Sequence, residues 1–231
     1  MKKTIHAFAR RAASTRKTAA FYEENALARR YFYHVDLLGR LFLEETEPKS
    51  IATSLKSPRF LSFFFSQLSL NDPSGSFGSD YPFISPCGTE MNYIACADTP
   101  IVFDDLVGGA ASSGGELVYA DGAHREPFDA SALTLCAASG RLYHPLTTHK
   151  RVTGLALVRS HLAISICERV DFDAEAANAG TRATGHIFNS EDGKRYPIRS
   201  MDPEQCEDDG VRCTARSVVR RRRARRAAKA Q

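Results

Sequence analysis

Charge is segregated along this chain in a way that fixes where a fold can form. Residues 1–22 hold six basic residues, Lys2, Lys3, Arg10, Arg11, Arg16 and Lys17, and no acid. Residues 212–231 hold nine more, Arg212, Arg216, Arg220, Arg221, Arg222, Arg223, Arg225, Arg226 and Lys229, again without an acid. The two ends therefore carry +15. Taking those 15 from the 31 Lys and Arg leaves 16 basic residues against all 27 acids, so the segment 23–211 is formally −11. Blocks of like charge resist packing until a partner neutralises them. A core is expected only between the ends: residues 1–22 form a basic arm, 23–203 a globular body, and 204–231 an acidic loop followed by an Arg-rich tail.

The body has the composition of a folded protein, since the chain is 43% hydrophobic and 10% aromatic. Its best apolar run, Phe60 to Leu70, is broken by Ser62, Ser66, Gln67 and Ser69 and falls short of the roughly 18 apolar residues of a spanning helix. No membrane insertion is expected. Six cysteines, Cys87, Cys96, Cys136, Cys167, Cys206 and Cys213, are scattered without CxxC spacing, and three sit in apolar strand-like runs that imply buried thiols. Neither a secretory hydrophobic region nor a disulfide-scaffold density of cysteine is present, which points to a reducing compartment. The first 22 residues are acid-free and rich in Arg, Lys, Ser, Thr and Ala, the composition of a mitochondrial transit segment, so the matrix is the expected location.

Within the body, RYFYHVDLLGRLFLEE at 30–45 puts Tyr31, Tyr33 and Val35 on one face and returns with Leu41 and Leu43 after a turn at Asp36 to Gly39, a hairpin signal. Ser57-Pro58 offers a helix start, and Leu61, Phe64, Phe65 and Leu68 form a helical stripe expected to end near Asn71. YPFIS and MNYIACA read as a further strand pair. GGAASSGG at 108–115 lacks the pattern of a phosphate-binding loop and reads as a surface connection before the strand ELVYA. Asp121-Gly122 and Asp192-Gly193 mark hairpins, and GLALVRSHLAISICERVDF alternates on either side of Arg159-Ser160 as strands would. The expected class is α+β: a β-rich antiparallel sheet or partly open barrel with one or two helices, plus basic terminal extensions.

Three blocks, YFYHVDLLGRLFLE, YPFISPCGTEMNYIACADTPIVFDDL and GRLYHPLTTHKRVTGLALVRSHLAISI, resemble uncharacterised protein family 0598 in order and spacing across about residues 30–168. The resemblance implies a mitochondrial protein and carries no assigned activity. The order of hairpin, helix, ISPCG, TPIVF and late β pair is also similar, more distantly, to a bacterial family of unknown function. That likeness implies a small β-rich fold and no chemistry.

The polar residues inside these blocks are Asp36, Arg40, Ser85, Cys87, Glu90, Asn92, Asp98, Asp104, Arg141, Tyr143, His144 and Arg159. Cys87, exposed by its turn, and His144 could form a thiolate and base, and with Tyr143 they could line a ligand pocket. Arg141 and Arg159 flank apolar strands and could reach an anionic ligand or RNA phosphate. Asp36 and Asp98 read as turn acids that accept from nearby backbone amides. No HExxH or paired CxxC pattern calls for a metal, and no cofactor is expected. The most specific feature is RRRRARR at 220–226, six arginines in seven positions, which with Arg10, Arg11 and Arg16 suits RNA phosphates. The sequence thus predicts a non-enzymatic mitochondrial ribonucleoprotein component, a ribosomal subunit or assembly factor, binding RNA through its arms and neighbouring proteins through its body. Its rival is a small matrix enzyme or ligand-binding protein built around Cys87, Tyr143 and His144.

Overall fold

A computed structural model describes residues 3–4, 17–75, 77–109, 114–137, 139–177 and 183–201. In chain order its elements are β1 (Lys3–Thr4), α1 (Ala19–Leu27), β2 (Arg30–Val35), β3 (Leu41–Leu43), α2 (Pro58–Ser66), β4 (Ser69–Leu70), β5 (Phe83–Cys87), β6 (Glu90–Cys96), β7 (Val102–Phe103), β8 (Asp105–Val107), β9 (Glu116–Tyr119), β10 (His124–Pro127), β11 (Thr134–Cys136), β12 (Arg141–Leu146), β13 (Val152–Val158), α3 (Ser160–Cys167), β14 (Val170–Phe172), α4 (Ala174–Ala177), β15 (Ala183–Asn189) and β16 (Arg195–Met201). They form an α+β fold of three open sheets. One runs β3-β2-β6-β5-β4, a small one β10-β9-β8, and the largest β1-β13-β12-β11-β16-β15-β14 with β7 also on β13. Among the described residues no sheet closes into a barrel.

The turn signals in the sequence are kept. Asp36 makes the β2–β3 hairpin by accepting from the backbone N–H of Leu38 and of Arg40, both at 2.9 Å, and Gly39 at φ 77° supplies the left-handed residue. Tyr33 then lies opposite Leu43 and Val35 opposite Leu41. Asp121-Gly122 and Asp192-Gly193 sit between β9 and β10 and between β15 and β16, two antiparallel pairs. GGAASSGG joins the antiparallel β8 and β9, its residues 110–113 lying outside the described ones.

The sequence had no means of showing the parallel pairs. β2 runs parallel to β6, β11 to β16, and both β7 and β1 to β13, so the two larger sheets are mixed while β10-β9-β8 is purely antiparallel. A hairpin carries its turn chemistry in adjacent residues, whereas a parallel pair joins strands separated by long crossovers and leaves no local mark.

Two helix boundaries also differ from expectation. Helix α2 ends at Ser66, five residues before Asn71, because Ser69 and Leu70 pair with Ile84 and Phe83 of β5. Its stripe is as read: Leu61, Phe64, Phe65 and Leu68 are all buried. The segment after Arg159-Ser160 is helix α3 and not a strand. Leu162, Ile164 and Ile166 fit a two-residue period, but Leu162 and Ile166 also stand one helical turn apart, and these two are buried while Ile164 is 64% exposed. Of the three cysteines read as buried, Cys96 and Cys136 are so and Cys167, at the end of α3, is exposed.

Helix α2 is where the three sheets meet. Its apolar stripe packs with Tyr33, Val35, Leu41, Phe83 and Ile94 of the five-stranded sheet in the main core. Its late carbonyls accept from a different sheet each. His124 Nε2 of β10 donates to the Ser62 carbonyl at 2.8 Å, Ser85 Oγ of β5 to that of Phe64 at 2.7 Å, and His149 Nε2, between β12 and β13, to that of Phe65 at 2.8 Å. The other ring nitrogen of His149 accepts from the N–H of Arg151 and of Val152 and so shapes the start of β13.

His149→Ala is expected to leave the buried Phe65 carbonyl and the Arg151 and Val152 amides without their side-chain partner, at a cost of about 2–4 kcal/mol. The thermal midpoint should fall by several degrees, at roughly 2–4 °C per kcal/mol for a chain of this size. A midpoint equal to the parent's would show that another donor serves these groups.

Candidate functional site

The residues proposed for a pocket do not converge. Tyr143 and His144 are consecutive on β12, and pleating sends consecutive side chains to opposite faces of the sheet. Cys87 ends β5 in the five-stranded sheet, half-buried, with its Sγ 3.6 Å from Ser85 Oγ. His144 is 2% exposed, stacked on Phe128 and edge-on to Phe103. Its Nε2 accepts from the Asp129 N–H at 2.9 Å, which leaves the ring proton on Nδ1 to donate to the Pro145 carbonyl at 2.8 Å. Burial lowers its pKa below 6.5 and keeps it neutral. A base needs a lone pair facing a substrate, and this ring's lone pair is occupied.

What the structure does bring together are charged pairs. Asp98, read as a turn acid, is instead the centre of a buried triad. Its Oδ2 accepts from Arg141 Nη1 at 2.5 Å and from the Tyr143 hydroxyl at 2.9 Å. Its side chain is fully shielded while that of Arg141 keeps 23% exposure, so the guanidinium forms the outward lid of the pair. The backbone around it is fixed by the thiol of Cys96 donating to the Asp98 carbonyl at 3.1 Å and by the Thr99 hydroxyl, which donates to the Ile101 carbonyl and accepts from the Leu157 N–H. Register carries the rest: β11 sets Cys136 opposite Arg141 and Thr134 opposite Tyr143.

Arg159 stands near a carboxylate, but its Nε and the Oδ1 of Asp104 are both buried without a hydrogen-bond partner among the described residues. Leu157 and Val158 pair with Val102 and Phe103, so the parallel strands β13 and β7 end side by side, one at Arg159 and the other at Asp104. The Arg159 N–H donates to the Phe103 carbonyl at 2.9 Å, and its positive charge acts on the Asp104 carboxylate. Arg40 lies on Asp36, with Nε and Nη2 at 2.7 and 2.6 Å from Oδ2. Asp36 with Arg40 and Asp98 with Arg141 and Tyr143 are therefore paired within the body, while Arg159 lies near the half-buried Asp104.

Sequence reasoning overlooked Glu126. It is 1% exposed and accepts from the backbone N–H and the hydroxyl of both Thr147 and Thr148. The only signal available was Thr147-Thr148 beside a strand end, and four matched donors for one carboxylate cannot be read from a TT dipeptide. Among the described residues no group of three or more His, Cys, Asp and Glu is placed to hold a metal. No described helix is long and apolar enough to cross a membrane. Arg10, Arg11 and Arg16 and the run Arg220, Arg221, Arg222, Arg223, Arg225 and Arg226 lie outside the described residues, as do Cys206 and Cys213. Lys17, the last basic residue of the N-terminal arm, is described: its ammonium pairs with Asp80 at 2.7 Å and sits 5.4 Å from the Phe21 ring centre.

The buried pairs make stability depend on pH in opposite directions. Burial pushes both Asp98 and Asp104 up from 3.8 to about 6, against the pull of Arg141 and Arg159. Between about pH 4 and pH 6 the folded chain holds protons at these sites that the unfolded chain has released, so both contributions are full below pH 4 and are lost as pH rises through 6. His144 works the other way: its pKa is lowered, so its contribution is present above 6.5 and is lost as pH falls below that value. Asp104→Asn is expected to remove roughly half of the decline between about pH 4 and 6 in urea midpoints. It should leave the variant more stable than the parent at pH 7. Asp98→Asn should instead lose stability at pH 7, because Arg141 is left without a counter-charge. An Asp104→Asn curve that overlays the parent's would place the raised proton affinity on another group.

Two solved structures are similar to this chain. A DUF1285 family protein from Silicibacter pomeroyi DSS-3 is 16% identical, covers 75% of this chain and 85% of its own, and superposes with a TM-score of 0.43. A DUF1285 family protein from Shewanella baltica OS155 is also 16% identical, covers 60% of this chain and 91% of its own, and has a TM-score of 0.41. The family model described as Domain of unknown function (DUF4505) matches residues 22–195, well over half of the chain and nearly all of its described body, and the chain belongs to that family.

Proposed function

We propose that this chain is a non-enzymatic component of a mitochondrial ribonucleoprotein assembly, a subunit or assembly factor of the mitochondrial ribosome, whose basic arms hold RNA and whose body docks on neighbouring proteins. The observation that carries this reading is the separation of +15 on the two ends from −11 on the body. Phosphates neutralise such arms with release of condensed counterions, a driving force that needs no base recognition. The internal pairing of the body supports it: with Arg141 on Asp98 and Arg159 facing Asp104, the cations left for phosphate are those of the arms and the body surface. The acid-free first 22 residues support a mitochondrial address.

The test is the salt dependence of RNA binding by the full chain. Replacing Arg220, Arg221, Arg222 and Arg223 with Gln should flatten the slope of log affinity against log salt by roughly 3, at about 0.7 to 0.9 per lost phosphate contact. The thermal midpoint should stay where it is. An unchanged slope with a lowered midpoint would mean that these arginines dock on the acidic body, and the RNA reading would be withdrawn.

A further inference from the structure

The largest sheet ends in β14, whose outer edge is unpaired among the described residues. On its inner side the Asn189 N–H donates to the Arg169 carbonyl at 2.8 Å and the Asp173 N–H to that of Gly185 at 2.7 Å, and the register sets Asp171 opposite Ile187 between them. Bonded and non-bonded residues alternate along an antiparallel pair. Arg169, Asp171 and Asp173 therefore turn their backbone groups to β15, while the N–H and C=O of Val170 and Phe172 point out of the sheet. Such a row of groups is a template for a further strand. The Phe172 side chain beside it is 65% exposed.

The sequence of this edge is complementary to itself. Two copies of β14 laid antiparallel about a two-fold axis through Asp171 set Val170 of each opposite Phe172 of the other, and all the outward N–H and C=O groups of these residues then bond one another. One face of the joined strands carries the Val170–Phe172 contact on either side of the axis, and the opposite face carries Arg169 against Asp173. Neighbouring axes fail. An axis at Val170 would need Glu168, whose N–H is already given to the Ile164 carbonyl, and an axis at Phe172 would bring Asp171 onto Asp173. Asp171 meets its own copy on the axis, the one unfavourable contact, and its Oδ2 is drawn aside by Asn189 Nδ2 at 2.8 Å.

We propose that β14 is an interface through which two copies of this chain join their largest sheets into one continuous sheet. The charge order selects the occupant: a two-fold contact requires a patch that fits itself, and Arg169, Val170, Phe172 and Asp173 do so in a single register. The present partners of the charges, Glu191 for Arg169 at 2.8 Å and Arg195 for Asp173 at 3.8 Å, form exposed pairs of little energy that can be exchanged. A contact this short makes a weak, concentration-dependent dimer. The interface goes beyond the RNA reading and does not depend on it.

Sedimentation of the full chain, freed of nucleic acid, should show a monomer–dimer equilibrium. Asp171→Asn removes the like charges on the axis and should tighten the dimer about two- to fivefold. Arg169→Asp should weaken it, and Arg169→Asp combined with Asp173→Arg should restore it, which follows only from this register. The axis also holds the two Asp171 positions at a Cα separation of about 4.5 Å, within reach of a disulfide. With the exposed Cys167 replaced by Ser, Asp171→Cys should therefore yield a linked dimer on mild oxidation and Arg169→Cys should not, which decides the matter even if a charge variant folds poorly. A parent chain that stays monomeric at every concentration would overturn the interface. So would a dimer that ignores the charge exchange and leaves Asp171→Cys unlinked.

Discussion

The end of helix α2 is the point on which the relative placement of the sheets depends. Three carbonyls of α2, those of Ser62, Phe64 and Phe65, take side-chain donors from outside the helix, the last two beside the N–H groups of Gln67 and Leu68. Here the donors are His124 from the three-stranded sheet, Ser85 from the five-stranded sheet and His149 from the largest one, each within 2.8 Å. Three sheets that share no strand are thus fixed to about one turn of helix. Apolar packing of Leu61, Phe64, Phe65 and Leu68 supplies the larger stabilisation, but it is non-directional and would tolerate sliding. The hydrogen bonds set the angle. His149 extends the constraint, since its other nitrogen accepts from the first residues of β13, the strand that carries β7, β12 and β1.

The same demand explains the buried charges. A carboxylate removed from water costs free energy unless its oxygens are matched; Glu126 has donors on both oxygens, whereas Oδ1 of Asp98 and Oδ1 of Asp104 find no hydrogen-bond partner among the described residues, in keeping with their raised pKa. Glu126 takes four N–H and O–H donors from two threonines, Asp98 takes a guanidinium and a phenol, and Asp104 takes the field of Arg159 and backbone amides. Each solution ties segments distant in sequence, β10 to the loop after β12, β6 to β12, and β7 to β13. The groups that looked chemically able are therefore structural in this geometry: their free valences are turned inward. Tyr93, Met91 and Ile84, on the other face of the five-stranded sheet, stay partly open to solvent.

How much of this was legible in the sequence follows from how local each cause is. The β2–β3 turn was readable because Asp36 and Gly39 contain its whole chemistry, and the α2 stripe was readable because Leu61, Phe64 and Phe65 repeat within one helix and Leu68 follows just beyond its end. Helix α3 was misread because Leu162, Ile164 and Ile166 satisfy both periods, and only the tertiary exposure of Ile164 separates them. Asp98 was misread for a similar reason. Its Thr-Pro neighbours suggest a turn, whereas its partners Arg141 and Tyr143 lie 43 and 45 residues away and reach it only through strand register. The outer sheet face was hidden too, because parallel pairing of β2 with β6 aligns Phe32 with Tyr93 without any signature near either residue.

Charge segregation within one chain has a further consequence for how such a protein meets a polyanion. Basic arms of +15 tethered to a body of −11 are drawn to that body at high effective concentration before any partner arrives. Lys17 on Asp80 is one such contact, and it is weak, since both side chains remain partly exposed and an exposed pair is worth at most about 1 kcal/mol. Salt loosens the internal contacts as it loosens the external ones. On the RNA reading proposed above, the salt slope is expected to be smaller than a count of arginines suggests, and affinity that survives high salt to come from interactions salt does not screen. Ring stacking is of that kind.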